Sequence, residues 1–320
     1  MKKSDLTVAT IEKINDKKAK VTFTDGSSIT RNFYKDLVWV YGTPHKITGS
    51  ASITEDLIDE VAPAAIEENP EELHHEKYEL IISCVKNNIP VYLVGPAGSG
   101  KNHTLEQIAW ELGLDFYFTN SIQQEYKVTG FIDAGGKYYE TEFFKAFKDG
   151  GLFFLDEMDA SIPEVLVLLN AAIANKYFEF PAGRIHAHKD FRIVAAGNTC
   201  GNGANEMYTG RLVLDQATLD RFAVIEFNYD IKIEMKLAKG NTELVTFIRK
   251  LREIAENNGI RATFSYRCIT MTTQLETAGI ELKQIMQIAI FKGLDAATIK
   301  TFSHYMEGNR YLMVFNREVK

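Results

Sequence analysis

The sequence predicts an α/β fold in which a parallel five-stranded sheet is covered by helices. Strand and helix patterns alternate between about Lys77 and Tyr229, which is typical of parallel sheets. After Tyr229 the strand signals end and only helical periodicity remains. Short β-branched runs near the N-terminus predict a separate small β unit. The predicted domains are therefore an N-terminal β module at 1–42, a linker at 43–76, an α/β core at 77–229 and a helical lid at 230–320.

The N-terminal module is predicted to hold three strands. Thr7–Ile11 and Lys20–Thr24 are rich in β-branched residues, and Asp25-Gly26 then leads into Ser28–Phe33, which is a hairpin signature. A unit of three strands has little stability alone, so we expect it to pack on the main body or on a partner. The following segment is rich in glycine, proline and acidic residues, which favours a linker.

Within the core, five apolar or β-prone runs predict the strands of the sheet. A helix is predicted at Thr104–Leu112, and the lid is predicted from four helical patterns. The strands are Val91–Val94, Asp115–Thr119, Gly151–Leu155, Phe191–Ala196 and Ala223–Phe227. The lid helices are Glu243–Asn257, Tyr266–Ala278, Lys283–Phe291 and Ala296–Met306.

Composition limits the classes of function. The chain has 320 residues, 45% of them hydrophobic and 25% charged, which is ordinary for a soluble globular protein. A net charge of −7 argues against a general nucleic-acid coat but permits a local basic patch. No run approaches the roughly 18 apolar residues of a membrane span, and no secretory signal is seen. The 3 cysteines are widely spaced, which fits a reducing cytosol. We therefore expect a cytoplasmic protein without membrane contact.

A phosphate-binding loop follows the first core strand. The segment reads Gly-Pro-Ala-Gly-Ser-Gly-Lys-Asn between a strand and a helix, which is the context that the pattern requires. Backbone N–H groups of such a loop cradle phosphates, and Lys101 would reach the terminal ones. The last position normally carries a hydroxyl that ligates Mg²⁺, but here it is Asn102. The predicted nucleotide-binding residues are Gly95, Pro96, Ala97, Gly98, Ser99, Gly100, Lys101, Asn102 and His103.

Polar residues at two other strand ends complete the predicted site. Asp156 and Glu157 follow the apolar strand Gly151–Leu155, where Asp156 would hold Mg²⁺ and Glu157 would polarise the attacking water. Asn198 ends the fourth strand. Because the carboxyl ends of parallel strands face one crevice, Asn198 would orient that water against the γ-phosphate.

These motifs together resemble those of the AAA+ ATPases, and more narrowly the MoxR-like branch that includes CbbQ/NirQ and GvpN. The glycine loop, the Asp-Glu strand, the Asn-ended strand and the segment Leu219-Asp-Arg-Phe222 occur in the family's order. The resemblance covers roughly residues 75–280. It extends to an insertion and a hairpin of that branch, which match Gly130–Lys137, Phe143–Gly151, Tyr177–Ile185 and Ala187–Arg192.

The resemblance implies roles for individual residues. Asn198 would be sensor 1, and Arg221 would be an arginine finger that reaches a neighbouring subunit's γ-phosphate. Arg211 is the reserve candidate for the finger, or a second contact to the neighbour. Arg267, at the start of a lid helix, would be sensor 2 and bind the γ-phosphate of its own subunit.

The resemblance also implies ATP, Mg²⁺ and a hexamer or another ring that remodels or activates a protein client, for example a von Willebrand A-domain protein. Tyr138 and Tyr139 of the insertion are candidates for gripping that client, or for packing on their own core. A second hypothesis is a nucleic-acid motor or loader that uses the basic residues Lys137, Lys145, Lys148, Arg184, His186, His188 and Lys189.

A third hypothesis is a nucleotide-gated scaffold with weak hydrolysis, because Asn102 departs from the usual hydroxyl. Three possibilities stay open at that position: Asn102 ligates Mg²⁺ through its amide oxygen, a water replaces the hydroxyl, or turnover is slow.

Overall fold

A computed structural model gives the fold of most of the chain. It describes residues 8–13, 18–24, 28–34, 37–40, 43–46, 73–306 and 308–316.

The N-terminal strands form an antiparallel sheet in chain order, with five strands rather than the predicted three. The two additional strands include β5, which lies within the range predicted to be a linker. Pro44 signals a break in the sequence, yet this strand, Thr43–Lys46, lies at the edge of the sheet, which is where strands tolerate proline. The rest of the predicted linker up to residue 72 lies outside the described residues. The strands are β1 (Val8–Lys13), β2 (Lys18–Phe23), β3 (Ser28–Tyr34), β4 (Leu37–Val40) and β5 (Thr43–Lys46).

The α/β core contains the predicted strands and helices together with two short hairpins. The hairpins β8–β9 and β11–β12 lie in the insertion and in the segment before the Asn-bearing strand. The elements are α1 (Tyr78–Lys86), β6 (Val91–Val94), α2 (Lys101–Glu111), β7 (Phe116–Thr119), α3 (Tyr126–Thr129), β8 (Phe131–Ile132), β9 (Tyr138–Tyr139), α4 (Glu142–Asp149), β10 (Gly151–Leu155), α5 (Pro163–Asn175), β11 (Tyr177–Phe180), β12 (Gly183–His186), β13 (Phe191–Gly197), α6 (Gln216–Leu219) and β14 (Ala223–Glu226).

The prediction of a parallel five-stranded sheet is confirmed. Its strand order is β14-β6-β13-β10-β7, and every pair is parallel. The register aligns Leu155 with Ala195 and Gly197 with Val94, so β6, β10 and β13 end at nearly the same level. The residues that follow these three strands therefore meet at one edge of the sheet.

Helices cover both faces of the sheet with apolar side chains. One face packs against α1 and α2, whose buried residues include Ile81 and Ile108. The other packs against α4, α5 and the hairpin β11–β12 through an aromatic cluster that includes Phe143, Phe147 and Phe180. Since β10 is buried at all of its positions, the sheet is rigid where the candidate site begins.

The C-terminal segment is helical, as predicted, and has its own apolar core. Two of its helices, Ile231–Leu237 and Arg310–Asn316, lie outside the predicted set. The predicted helix Lys283–Phe291 is divided into a short helix, Leu282–Ile285, and a π-helical turn, Met286–Ile290. None of the described helices is both long and apolar enough to span a membrane. The helices are α7 (Ile231–Leu237), α8 (Thr242–Asn257), α9 (Tyr266–Thr277), α10 (Leu282–Ile285), α11 (Ala296–Tyr305) and α12 (Arg310–Asn316).

Candidate nucleotide site

The glycine loop lies between β6 and the first turn of α2, and its shape depends on two glycines. Gly98 has φ +70°, and a β-carbon there would lie 2.8 Å from Cβ of Ser265. A β-carbon at Gly95 would lie 2.0 Å from the carbonyl oxygen of Phe227. Only glycine fits these close approaches, so the loop packs tightly between the sheet and the residues that lead into α9.

Lys101 is buried at the start of α2 and points back into the loop. Its ammonium group donates hydrogen bonds to the carbonyls of Gly95 at 2.9 Å and Pro96 at 3.0 Å. Burial lowers the pKa of Lys101 to about 8, although the carboxylates of Asp156 and Asp159 act in the opposite direction. A buried cation that is held only by carbonyl dipoles is well prepared to exchange them for phosphate oxygens.

Other loop residues are also poised toward the site. The hydroxyl of Ser99 is buried and has no hydrogen-bond partner among the described residues, which fits a group that a ligand satisfies. The side chain of Asn102 donates to Asp156, and His103 lies exposed on α2. The loop and the end of β10 are therefore in direct contact, as expected for two motifs that share one nucleotide.

The Asp-Glu pair turns sharply at the end of β10. Burial raises the pKa of Asp156, while the N–H of Glu157 and the side chain of Asn102 lower it by donating to the carboxylate. Glu157 has φ 52° and ψ 43°, the left-handed region that a non-glycine residue rarely adopts. Such a conformation costs on the order of 1 kcal/mol and is commonly retained at functional sites.

Asn198 links the phosphate loop to the end of β13. Its side-chain amide donates to the carbonyl of Gly95 at 3.0 Å, and that carbonyl also accepts from Lys101. The backbone behind it is fixed by Asp159, whose Oδ2 accepts from the N–H groups of Asn198 at 2.9 Å and Thr199 at 2.8 Å. Asp159 is completely buried. The predicted sensor 1 residue is thus held rigidly at the site.

Arg211 lies in the same site of its own chain. Its Nη2 donates to Oδ1 of Asn198 at 2.7 Å and to Oε1 of Glu157 at 3.2 Å, and its Nε lies 3.4 Å from Oδ2 of Asp159. The sequence predicts that Arg211 is the reserve arginine finger or a second contact to a neighbouring subunit, and that role stays a prediction. Within its own chain, Arg211 reaches the site because the loop between β13 and α6 folds back over the strand ends, and no sequence pattern signals that return.

Arg267 approaches the loop from α9. Ser265 caps this helix, and the N–H of Tyr266 donates to the carbonyl of Gly98 at 3.3 Å. The charge of Arg267 contributes to lowering the pKa of Lys101, which places both cations at one site. The role of Arg267 as sensor 2 of its own subunit stays a prediction.

Arg221 is not brought to the site of its own chain. Its guanidinium donates to the carbonyl of Ala217, one turn earlier, and it forms no ion pair with Asp220 or with any other residue that the structure describes. Most of the predicted site residues therefore meet at one place, and Arg221 lies outside it. The residues that meet are Lys101, Asn102, Asp156, Glu157, Asn198, Arg211 and Arg267.

Several residues at the site carried no role in the sequence analysis. Asp159 follows Glu157 by two positions, so the acidic cluster was a signal that could have revealed it. Tyr208 and Tyr229 bracket Ala97: Tyr208 accepts from its N–H at 3.2 Å, and Tyr229 donates to its carbonyl at 2.8 Å. These tyrosines are distant from the motifs in sequence, and only folding brings them to the loop.

The sequence of this chain is similar to those of known proteins. Residues 90–222 match the AAA domain of the dynein-related subfamily. CbbQ of Hydrogenophilus thermoluteolus is 23% identical over 224 residues, which cover 64% of this chain and 80% of CbbQ. The chain therefore carries an AAA domain. The matched residues contain the phosphate loop, the Asp-Glu pair, Asn198, Arg211 and Arg221.

Two further similarities cover a smaller share of the matched protein. An uncharacterized protein of Staphylococcus epidermidis is 28% identical over 158 residues, 44% of this chain and 56% of that protein. The structure of NtrX from Brucella abortus in complex with ATP has a TM-score of 0.40 and 19% identity, and it covers 72% of this chain and 54% of NtrX. The chain thus spans about half the length of these two proteins.

Proposed function

We propose that this AAA+ chain hydrolyses ATP with Mg²⁺ and uses the cycle, as a ring, to remodel or activate a protein partner. One observation carries the proposal. A continuous chain of hydrogen bonds runs from Lys101 through the carbonyl of Gly95, the amide of Asn198 and Nη2 of Arg211 to Glu157. Such a chain joins a phosphate-binding cation to a carboxylate that can orient water, which is the arrangement phosphoryl transfer requires.

Each residue has a role that its position supports. Loop N–H groups and Lys101 bind the phosphates, and Arg267 adds a second cation at the γ-phosphate. Glu157 and Asn198 orient the attacking water. Because positioning and charge stabilisation dominate phosphoryl transfer, a rigid frame such as the fixed backbone of Asn198 is useful.

Asp156 and Asn102 fit a Mg²⁺ ion. The carboxylate and the amide lie within hydrogen-bond distance of each other, and both groups offer the oxygen donors that Mg²⁺ prefers. Asn102 now donates to Asp156, so its amide would rotate to present oxygen, or a water would take that place. When bound, Mg²⁺ would neutralise charge on the phosphates.

The ring is supported by the position of Arg221. A guanidinium in the matched LDRF segment that does not serve its own site is suited to a neighbour's. We expect the protein to assemble when Mg²⁺ and a non-hydrolysable ATP analogue are present. Analytical ultracentrifugation tests this: a wild-type protein that stays monomeric with the analogue contradicts the trans role of Arg221.

Hydrolysis is tested by replacing Glu157 with glutamine, which keeps the shape and removes the base. We expect kcat to fall by at least about 100-fold while ATP binding persists. Glu164→Gln is the matched control, because Glu164 is an exposed glutamate in the first turn of α5. A wild-type ATPase rate no greater than that of Glu157→Gln contradicts the proposed hydrolysis and favours the hypothesis of a nucleotide-gated scaffold.

The client is proposed to be a protein, for example one with a von Willebrand A-domain. Tyr139 of the insertion is exposed and stacks on Phe131, whereas Tyr138 donates to the carbonyl of Thr129 and packs inward. Tyr139 is therefore the better candidate for gripping a client. Affinity capture with Glu157→Gln should recover the client with ATP and release it with ADP.

The alternative of a nucleic-acid motor has weaker support, because three of the seven basic side chains named for it form ion pairs with acidic neighbours. The pairs are Lys145 with Glu142 at 2.7 Å, Lys148 with Glu140 at 3.8 Å and Arg184 with Glu179 at 2.5 Å. Salt-dependent binding of DNA or RNA that stimulates turnover would reverse this preference.

A further inference from the structure

The side chain of Arg211 is surrounded by groups that matter for hydrolysis. Its exposed fraction is 12%, and it faces the carboxylates of Glu157 and Asp159 and the amide oxygen of Asn198. Its Nε forms an ion pair but no hydrogen bond, and Oδ1 of Asp159 has no hydrogen-bond partner within the described part of the chain. A buried guanidinium with incomplete bonding is costly unless another ligand completes it.

The position of Arg211 identifies that ligand by its chemistry. Nη2 of Arg211 bonds to the same side chain, Asn198, that bonds to the Gly95 carbonyl beneath Lys101. Burial is the main cause of the lowered pKa of Lys101, and the charge of Arg211 adds a smaller contribution in the same direction. Two cations beside a phosphate loop point to a ligand with more negative charge than either carboxylate supplies. The terminal phosphate of a nucleoside triphosphate has this charge.

The same guanidinium also restrains Glu157. A carboxylate that is bonded to a guanidinium is less able to accept a proton from water. A phosphate dianion binds guanidinium more strongly than one carboxylate, and it can do so with two parallel bonds. Arrival of a γ-phosphate would therefore transfer Nη2 from Glu157 to the phosphate and free Glu157. A diphosphate cannot cause this exchange.

Asp159 is held in place and can anchor one end of the Arg211 guanidinium while the other end changes partners. Three hydrogen bonds hold its Oδ2, from the N–H groups of Asn198 and Thr199 and from the hydroxyl of Thr199 at 3.0 Å. The Nε of Arg211 stays near this immobile carboxylate while the terminal nitrogens exchange partners. Asp159 thus acts through Arg211 as a positioning residue.

We propose that Arg211 is a γ-phosphate ligand in its own subunit, positioned by Asp159, and that it makes the site discriminate triphosphate from diphosphate. This inference rests on the proposed function, because it requires that the site binds ATP. It gives the three arginines separate tasks: Arg211 and Arg267 serve their own site, and Arg221 serves a neighbour's.

The affinity ratio between ADP and a non-hydrolysable ATP analogue, measured by titration calorimetry with Mg²⁺, tests the discrimination. We expect Arg211→Met to weaken analogue binding by about tenfold or more and to leave ADP binding within about twofold of wild type. Arg184→Met is the matched control, since Arg184 is an exposed, ion-paired arginine of β12. Arg211→Lys keeps the positive charge beside Asp159. We expect it to restore part of the wild-type preference for the ATP analogue over ADP, even if Arg211→Met lowers the melting temperature.

The role of Asp159 is tested by a double-mutant cycle. Asp159→Asn should reduce the ratio in the wild-type background and should have no further effect on it in Arg211→Met. A merely structural aspartate would change both backgrounds alike, which would overturn the positioning role.

Subunit mixing distinguishes a cis from a trans contact. Neither Arg211→Met nor Glu157→Gln subunits should regain ATPase activity when mixed, because each keeps a defect in its own site. Regained activity would mean that Arg211 acts on a neighbour and would overturn the proposal, as would equal losses of ADP and analogue affinity in Arg211→Met. Failure of the wild-type protein to bind either nucleotide would instead contradict the proposed function itself.

Discussion

Two clusters of charged side chains, each built around a buried carboxylate, differ in how completely their buried atoms are bonded. The site cluster consists of Lys101, Asp159 and Arg211. The lid cluster consists of Glu234, Arg249 and Arg252 on α7 and α8. In each cluster one carboxylate is fully buried, Asp159 in the first and Glu234 in the second.

Almost all buried polar atoms of the lid cluster have hydrogen-bond or ion-pair partners within the chain. Each carboxylate oxygen of Glu234 pairs with a different arginine, Arg249 at 2.8 Å and Arg252. The guanidinium of Arg252 also donates to the carbonyl of Phe264 and stacks 3.7 Å from the ring centre of Tyr229. Among the buried side-chain atoms of this cluster, only Nη2 of Arg252 lacks a hydrogen-bond partner within the described residues.

The site cluster leaves more atoms unsatisfied. Oδ1 of Asp159, Nε of Arg211 and the nearby hydroxyl of Ser99 have no hydrogen-bond partner within the described residues. Burial without a hydrogen bond costs about 1–3 kcal/mol for each group, so such atoms persist where a ligand completes them. The comparison indicates that the lid cluster stabilises the fold and the site cluster is prepared for a nucleotide.

The largest expected effect on stability is in the lid cluster. Glu234→Gln leaves two arginines without their carboxylate, and we expect the free energy of unfolding to fall by about 3 kcal/mol. Calorimetric melting measures the change. The comparison also predicts that the preference for the ATP analogue over ADP stays at the wild-type value well below the melting temperature.

Glu253→Gln is the matched control for the lid, because Glu253 lies on α8 in an exposed ion pair with Lys250. We expect it to leave the melting temperature unchanged. If Glu234→Gln changed the nucleotide preference as strongly as Arg211→Met, the distinction between the two clusters would be lost.

An intermediate effect is expected from pH. Burial holds the pKa of Lys101 near 8 in the free site, and phosphate charge would raise this pKa in the complex. Below pH 8 the lysine is charged in both states, so affinity does not depend on it. Above pH 8 the free site loses its proton and must recover it, so affinity should fall by up to tenfold per pH unit.

Titration calorimetry in two buffers of different ionisation enthalpy measures the proton uptake, which should approach one proton near pH 9. Lys101→Arg keeps a charge at all these pH values, so its affinity should vary little with pH. A wild-type affinity that is constant from pH 7 to 9.5 would show that Lys101 does not couple to phosphate binding.

The smallest effect is expected at Asn102. Asn102→Thr restores the usual hydroxyl, and we expect the Mg²⁺ concentration for half-maximal ATPase activity to fall by about threefold. Asn102→Ala removes the oxygen and should raise that concentration. If both substitutions left the Mg²⁺ requirement unchanged, a water rather than the side chain would occupy this ligand position.

Much of the core fold follows from local sequence. The predicted strands Val91–Val94 and Gly151–Leu155 are found with the same bounds, because buried parallel strands are short, apolar and bounded by turns. The strand at Thr43–Lys46 was missed, since its stability comes from pairing with β4 rather than from its own residues. The division of Lys283–Phe291 by a π-helical turn likewise has no local signal.

The site residues likewise divide into those that the sequence predicts and those that depend on the tertiary structure. The phosphate loop, the Asp-Glu pair and Asn198 could be predicted because each sits at a strand end, and the parallel topology brings strand ends together. Arg211 could be identified as a functional arginine but not assigned to its own site. Its orientation depends on the return of the β13–α6 loop and on Asp159, which the local pattern does not reveal.

The sequence by itself determined the α/β class, the phosphate loop and the residue types that face it, because these depend on hydrophobic periodicity and on short motifs. Only the tertiary structure decided that Arg211 lies beside Asn198 and Glu157 of its own chain and which charges are completed by neighbours. The physical reason is that hydrogen bonds and ion pairs depend on distances of a few ångströms between residues that are far apart in the chain, and sequence patterns specify only the neighbours of each residue along it.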